Sequence, residues 1–339
     1  MKMNKMLQWL PVASVAFCIG LTACDKGHDG NEIIALESFP EETVLQGSAV
    51  EFDTIMGVVG SAEVLDSAYM FYLYDSDHFI MQTDKDFNIA GYKARKGQGP
   101  GEFSGISTAF GDILADGGFG VGDPYNSRLY EYKGENYDSL TLVADLWGAL
   151  GNIGAWRMIQ TSDSTVIAIL LAHEYGIKEV NTRTGERSDW PLGYDLDENA
   201  QNKNAITSFR ALSHNRRNGL TGEIYGGLPV LILHDGEGNV WKRMAYGNIP
   251  ATETIEYGTH SPLRGVRLGD KYIYLLCIED KEQPYAHILV TDYDGNAVGK
   301  LKIEYAQTFT VDEEAGRIIA VNPNVDERGL MVYELPSFE

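Results

Sequence analysis

The sequence predicts an all-β chain folded as a six-bladed β-propeller, with seven blades as the alternative count, and three observations carry that prediction. Ser104, Arg157, Arg210 and Arg264 occupy similar places in four segments and stand 53, 53 and 54 residues apart, a period that marks stacked supersecondary units. Inside each period the chain breaks into short alternating strands separated by turn residues such as Thr184-Gly185, Asp235-Gly236 and Asp294-Gly295-Asn296, which tolerate the positive φ of tight hairpins. Four antiparallel strands per unit, repeated radially, protect sheet edges in the manner of a propeller.

The elements follow in order. Residues 1–23 read as a secretion signal: Lys2 and Lys5 precede an apolar stretch from Met6 to Gly20, the charged-then-apolar order of an exported chain and too short to span a bilayer comfortably. The signal closes on Leu21-Thr22-Ala23-Cys24, which resembles the bacterial lipobox and makes Cys24 the expected lipid-attachment residue. Residues 24–47, polar and carrying Gly27, Gly30 and Pro40, read as a flexible tether. Residues 48–339 read as a single propeller domain, with units at 63–96, 105–145, 153–193, 206–246, 263–304 and 305–335. The last unit lacks a fourth strand. Ala49 to Val59 is expected to supply it, closing the ring and removing exposed edges. Asp195 to Asn204 hints at a helix inserted between blades.

Composition excludes some classes. The formal net charge is −22, and the signal takes away two lysines and no acid, so the exported part is more acidic still. A nucleic-acid binder needs a basic surface to displace counterions from phosphates, so none is expected as partner. The same charge repels anionic headgroups, so the lipid alone would hold the protein at a membrane. Cys18 leaves with the signal and Cys24 takes the lipid, so Cys277 has no disulfide partner within the monomer. Its setting in Tyr272 to Ile278 reads as core.

The stretch Lys96-Gly97-Gln98-Gly99-Pro100-Gly101-Glu102-Phe103 resembles the G-x-G-P-G-E-F segment of six-bladed, TolB-like β-propeller lipoproteins of Bacteroidota. With the lipobox and the blade period, the resemblance covers essentially the whole mature chain. It implies a fold and a location, the cell envelope, lipid-anchored in the outer membrane and facing either the periplasm or the surface. It hands over no catalytic residue. In physical terms the glycines let the chain turn between blades and Phe103 packs into the next blade; the alternative is that the loop's N–H groups form an anion-binding nest.

Arg157, Arg210 and Arg264 are the candidate ligand residues. Set at the innermost strand of their units, three guanidinium groups would ring the channel and suit a carboxylate, sulfate or phosphate. The plainer alternative is that each bridges to an acid of a neighbouring blade, such as Glu102 or Asp163. The pairs Asp75 and Asp77, Asp195 and Asp197, and Asp292 and Asp294 do not continue into a full calcium loop, and Asp292 to Asn296 reads as a hairpin turn. His234 and His287 read as satisfied strand or turn residues, and the nineteen tyrosines and five tryptophans mostly as packing between blades. Hydrolase and P-loop signatures are missing, so no catalytic residue and no metal ligand is assigned. The function expected is that of a binding module for an envelope protein or an extracellular oligosaccharide or peptide, without cofactor. The alternative is a calcium-dependent, lactonase-like hydrolase with its site in the central channel, and calcium is the one ion that reading would add. A third class is a structural component whose channel is plugged by side chains.

Overall fold

The computed structural model describes residues 32–338 except 53–57, 108–117, 171–175, 192, 194–209, 252–253, 257–259, 281 and 323–328, together with the backbone but not the side chain of Arg210. The signal, Cys24 and the helix expected at 195–204 lie outside the described residues. Among those residues there is no α-helix, and the chain forms six sheets in a closed ring.

Blade 1 is built of Val59–Val64, Tyr69–Leu73, His78–Thr83 and Ile89–Arg95. Three strands of blade 2 are described, Phe119–Asp123, Arg128–Lys133 and Ser139–Asp145. Blades 3 to 5 run from Ala155–Ser162 to Arg187–Asp189, from Arg210–Asn215 to Val240–Tyr246, and from Leu263–Leu268 to Ala297–Glu304. Blade 6 has Thr308–Asp312, Arg317–Val321 and Leu330–Glu334.

Burial explains the pattern of residues along each blade. Second and third strands are covered on both faces by neighbouring blades, so they read as continuous apolar runs: Tyr69–Leu73 is buried at every position, as is Val230–His234. Outermost strands meet solvent, and Arg187–Asp189 is exposed throughout. Each junction between blades has its own apolar cluster. Tyr72 and Phe79 of blade 1 meet Phe119 and Tyr132 of blade 2; Leu129 meets Val166, and Ile167 meets Leu212. Leu231 then meets Leu275, Tyr274 meets Phe309 and Ile318, and Ile319 meets Phe71, which returns the ring to blade 1.

The N-terminal segment closes that ring, and more of it is ordered than the sequence reading expects. Ser48–Ala49 pairs antiparallel with Met331 and Val332 as the fourth strand of blade 6, at the very start of the stretch expected to do so; Val59 already belongs to blade 1. Upstream, Ile33–Leu36 adds a parallel fifth strand to blade 4 and Thr43–Val44 another to blade 5. From Ile33 on, the segment read as a tether therefore lies along three blades. Its few apolar residues explain this: Leu36 is buried in the junction of blades 4 and 5, and Ile34 sits over Gly295, where a Cβ would approach to 2.9 Å. Glu42 adds a polar clasp, accepting from His287 Nε2 at 2.6 Å and facing Lys302 Nζ at 3.3 Å.

Candidate functional site

The innermost strand of blade 5, Leu263–Leu268, connects two cavities of about 400 Å³ that open at its opposite ends. Their charges are arranged differently.

At the far end, the turns that leave the innermost strands gather around the channel mouth. Arg267 reaches from blade 5 to Glu63 of blade 1, Nη2 to Oε1 at 2.8 Å, and its Nε donates to the Phe309 carbonyl of blade 6 at 3.0 Å. Lys85 meets Asp312 at 2.7 Å, and Tyr69 donates to the same carboxylate oxygen at 2.9 Å. Burial alone would raise the Asp312 pKa, but the bonds from Lys85, the Ala315 N–H and Tyr69 outweigh it and hold the carboxyl below the usual range. Glu313 accepts from Tyr274 and from the Asp270 N–H, Asp270 pairs with Arg217, and Arg216 donates to the Gln160 carbonyl at 3.4 Å. Each cation named here has a protein partner.

At the near end the cavity lies between blades 4 and 5. Pro229, Pro262, Ile278 and Tyr246 form apolar walls, and Arg264, Glu279, His260 and Asn248 are polar groups on the lining. Arg264 is half-buried and forms neither an ion pair nor a hydrogen bond among the described residues. Burial pulls its pKa below the ordinary arginine range, opposed by the nearby Tyr305, because the guanidinium has lost water without gaining a counter-charge among the described residues. Glu279 lies on the same lining without pairing to it. The Tyr246 hydroxyl donates to Glu279 Oε1 at 2.7 Å, and Lys300 Nζ stands 3.8 Å from that oxygen.

The backbone explains how Arg264 comes to face the cavity. Pairing with the next strand skips from Leu263 to Gly265, leaving Arg264 on a β-bulge, a feature that re-aims a side chain. The same skip occurs at Gly60 in blade 1 and at Trp156 in blade 3. Arg264 is thus the counterpart of Trp156, and Arg157 sits one residue further along. Since one residue of register turns a side chain to the other face of a strand, Arg157 goes elsewhere: it is 5 % exposed and donates through Nη1 to the Leu212 carbonyl of blade 4. The Arg210 side chain lies outside the described residues. Of the three arginines expected from the repeat, Arg157 lines neither of the two cavities and Arg264 faces one of them.

Other sequence candidates fall to structural roles. In the glycine-rich loop, Gly99 N–H donates to Glu102 Oε2 at 2.9 Å, so the loop's own carboxylate occupies the place an anion would take; a Cβ on Gly97 would lie 1.9 Å from that oxygen. Phe103 is buried between blades 1 and 2 and meets Tyr130 edge-on. Asp292 accepts from the N–H groups of Asp294 and Asn296 in its hairpin. His234 meets Glu223 at 3.2 Å in full burial, and Cys277 lies in the core, where burial pushes its thiol up to about 12.

Closed by six junctions, the chain is a six-bladed β-propeller, and solved structures it is similar to are propellers as well. They include an exported protein of Bacteroides fragilis (TM-score 0.58, 9% identity, covering 90% of this chain and 100% of that one). A member of the DUF4221 family from Bacteroides vulgatus (0.57, 12%, covering 87% and 98%) and the calcium-binding protein regucalcin of Agrobacterium tumefaciens (0.50, 10%, covering 88% and 96%) are similar too. Neither a family model nor a curated protein matches the sequence. The donors here do not fit a calcium ion. Among the described residues no three His, Cys, Asp or Glu side chains are grouped to hold a metal, and the channel acids Glu63 and Asp312 already hold Arg267 and Lys85.

Proposed function

We propose that the protein is an exported propeller of the TolB-like lipoprotein kind, anchored in the outer membrane through Cys24, and that it works as a binding module. Its ligand is a carboxylate presented by an extracellular peptide or oligosaccharide, or by a chain end of another envelope protein, and it docks in the cavity between blades 4 and 5. The observation that carries this reading is Arg264, a half-buried guanidinium without a partner among the described residues, turned into a cavity by a bulge. Removing a charge from water is unfavourable until an opposite charge arrives, and a guanidinium pairs with both oxygens of a carboxylate at once.

Glu63 and Asp312 at the channel mouth are engaged by cations, which does not favour the calcium-dependent hydrolase reading. The charged pairs there suit a plug that keeps the ring together.

Isothermal titration with small carboxylates checks the proposal. Binding is expected in the wild-type protein and in Arg157→Ala, and is expected to be lost in Arg264→Gln. Equal affinity in Arg264→Gln and wild type would remove the site.

A further inference from the structure

The cavity holds a second charge that a simple carboxylate ligand leaves unused. Glu279 shares the lining with Arg264, yet the two do not pair, although opposite charges on one wall attract. The Tyr246 hydroxyl fixes Glu279 Oε1, and Oε2 has no hydrogen-bond partner among the described residues. Lys300 Nζ, 3.8 Å from Oε1, forms a long ion pair with it and no hydrogen bond, and Glu279 is exposed, so Oε2 is open to an arriving donor. A ligand carrying only an anion would satisfy Arg264 and leave Glu279 Oε2 unused. Pro229, Pro262 and Ile278 line the same cavity and offer an apolar surface with no hydrogen-bonding side chain of its own.

Resting on the reading that Arg264 takes a carboxylate, we infer that the cavity selects a short zwitterionic peptide. Its carboxylate pairs with Arg264, its protonated amine donates to Glu279, and its apolar side chains lie against the two prolines and Ile278. The apolar floor suits the side chains of a peptide better than the hydroxyls of a sugar acid, which would have to pair with the Asn248 and His260 side chains elsewhere on the lining. Arg264 is the anchor and Glu279 the discriminating residue.

The test compares alanyl-alanine, its N-acetylated form and glucuronate by isothermal titration against the full-length protein in detergent. The N-acetyl group removes the positive charge and keeps the carboxylate, so it isolates the Glu279 contact. Wild-type protein is expected to bind alanyl-alanine at least about tenfold more tightly than the acetylated peptide or glucuronate, the size of one charge-assisted hydrogen bond. Glu279→Gln is expected to erase that preference by weakening alanyl-alanine alone, and Arg264→Gln to abolish all binding. Arg264→Lys, which keeps the charge, is the control for folding and should retain weakened binding; melting curves establish that each variant is folded. Equal affinity for the free and acetylated peptides, still lost in Arg264→Gln, would overturn the selection for a zwitterion and leave the carboxylate site standing. No binding by any of the three ligands would overturn both.

Discussion

The two ends of one strand, Leu263–Leu268, use arginine in opposite ways. Arg267 at the channel mouth has a carboxylate on blade 1 and a carbonyl on blade 6, so it ties three blades together across the axis. Arg264, three residues earlier, sits on a bulge with no such partner among the described residues, and the described lining of its cavity comes from blades 4 and 5 and the connection between them. A charge that is paired inside a protein stabilises the arrangement around it; a charge left half-desolvated is a cost that folding alone does not justify. The difference separates a residue that holds the ring from one set for something that arrives from outside.

The sharpest way to break the comparison is to remove the bridge. The Arg267 and Glu63 side chains are 19 % and 10 % exposed, so Arg267→Leu takes the Arg267 cation from a nearly buried carboxylate and is expected to cost about 3 kcal/mol. Adding Glu63→Leu should recover part of that loss, since the carboxylate that lost its arginine goes with it. Chemical denaturation measures both, and carboxylate affinity should remain within about twofold of wild type throughout, one tenfold step being about 1.4 kcal/mol. A weakened ligand with unchanged stability would reverse the roles assigned to the two ends.

Acid acts on the same end more gently. Asp312 has a folded-state pKa below its unfolded one. Its stabilising contribution is therefore complete above the unfolded value and is lost as pH falls through the folded value. Melting temperature should drop across that window in the wild type and stay flatter in Asp312→Asn, which begins lower at neutral pH because Lys85 loses its counter-charge. Parallel curves for the two proteins would show that the carboxylate is not engaged as described.

Much of the ring was legible because blade packing imposes a repeating demand on sequence. Covered strands need continuous apolar runs and hairpins need turn residues, so the units at 153–193, 206–246 and 263–304 match blades 3 to 5 closely. The need for a borrowed fourth strand in blade 6 followed from the same count. The docking of Ile33–Leu36 was not legible, because four residues in a polar segment carry too little periodicity to show that they pair with Val240–Tyr246. Nor was the identity of the site arginine. Trp156-Arg157 and Leu263-Arg264 look alike in the chain, but bulges at Trp156 and at Arg264 put their arginines one residue out of step. Strand pairing, which no local motif records, decides that register. The mouth charges were missed for a different reason: Arg216 and Arg217 lie in a turn that the Asn218-Gly219 pair would have flagged as a hairpin.

At the ligand end the expected stability changes are smaller. Arg264→Leu removes a charge that has no partner among the described residues and replaces it with an apolar side chain at a half-buried position, so folding should be unchanged within about 1 kcal/mol or slightly favoured. Carboxylate binding should vanish in the same variant. Destabilisation on the scale of Arg267→Leu would show that Arg264 serves the ring after all.

The smallest effect tests whether the bulge or its surroundings make the site. Trp156 occupies the equivalent bulge of blade 3 and is 48 % exposed, so Trp156→Arg should alter stability by no more than about 0.5 kcal/mol. It places a guanidinium at the same point of the repeat, but without the desolvating walls that Pro229, Pro262 and Ile278 give Arg264. An exposed arginine gains little from a carboxylate because water screens the pair and the side chain must be immobilised. In the background of Arg264→Gln, Trp156→Arg should therefore fail to restore carboxylate binding by titration. Restored binding would mean that the bulge alone suffices, and that the cavity between blades 4 and 5 contributes no more than the backbone that aims its arginine.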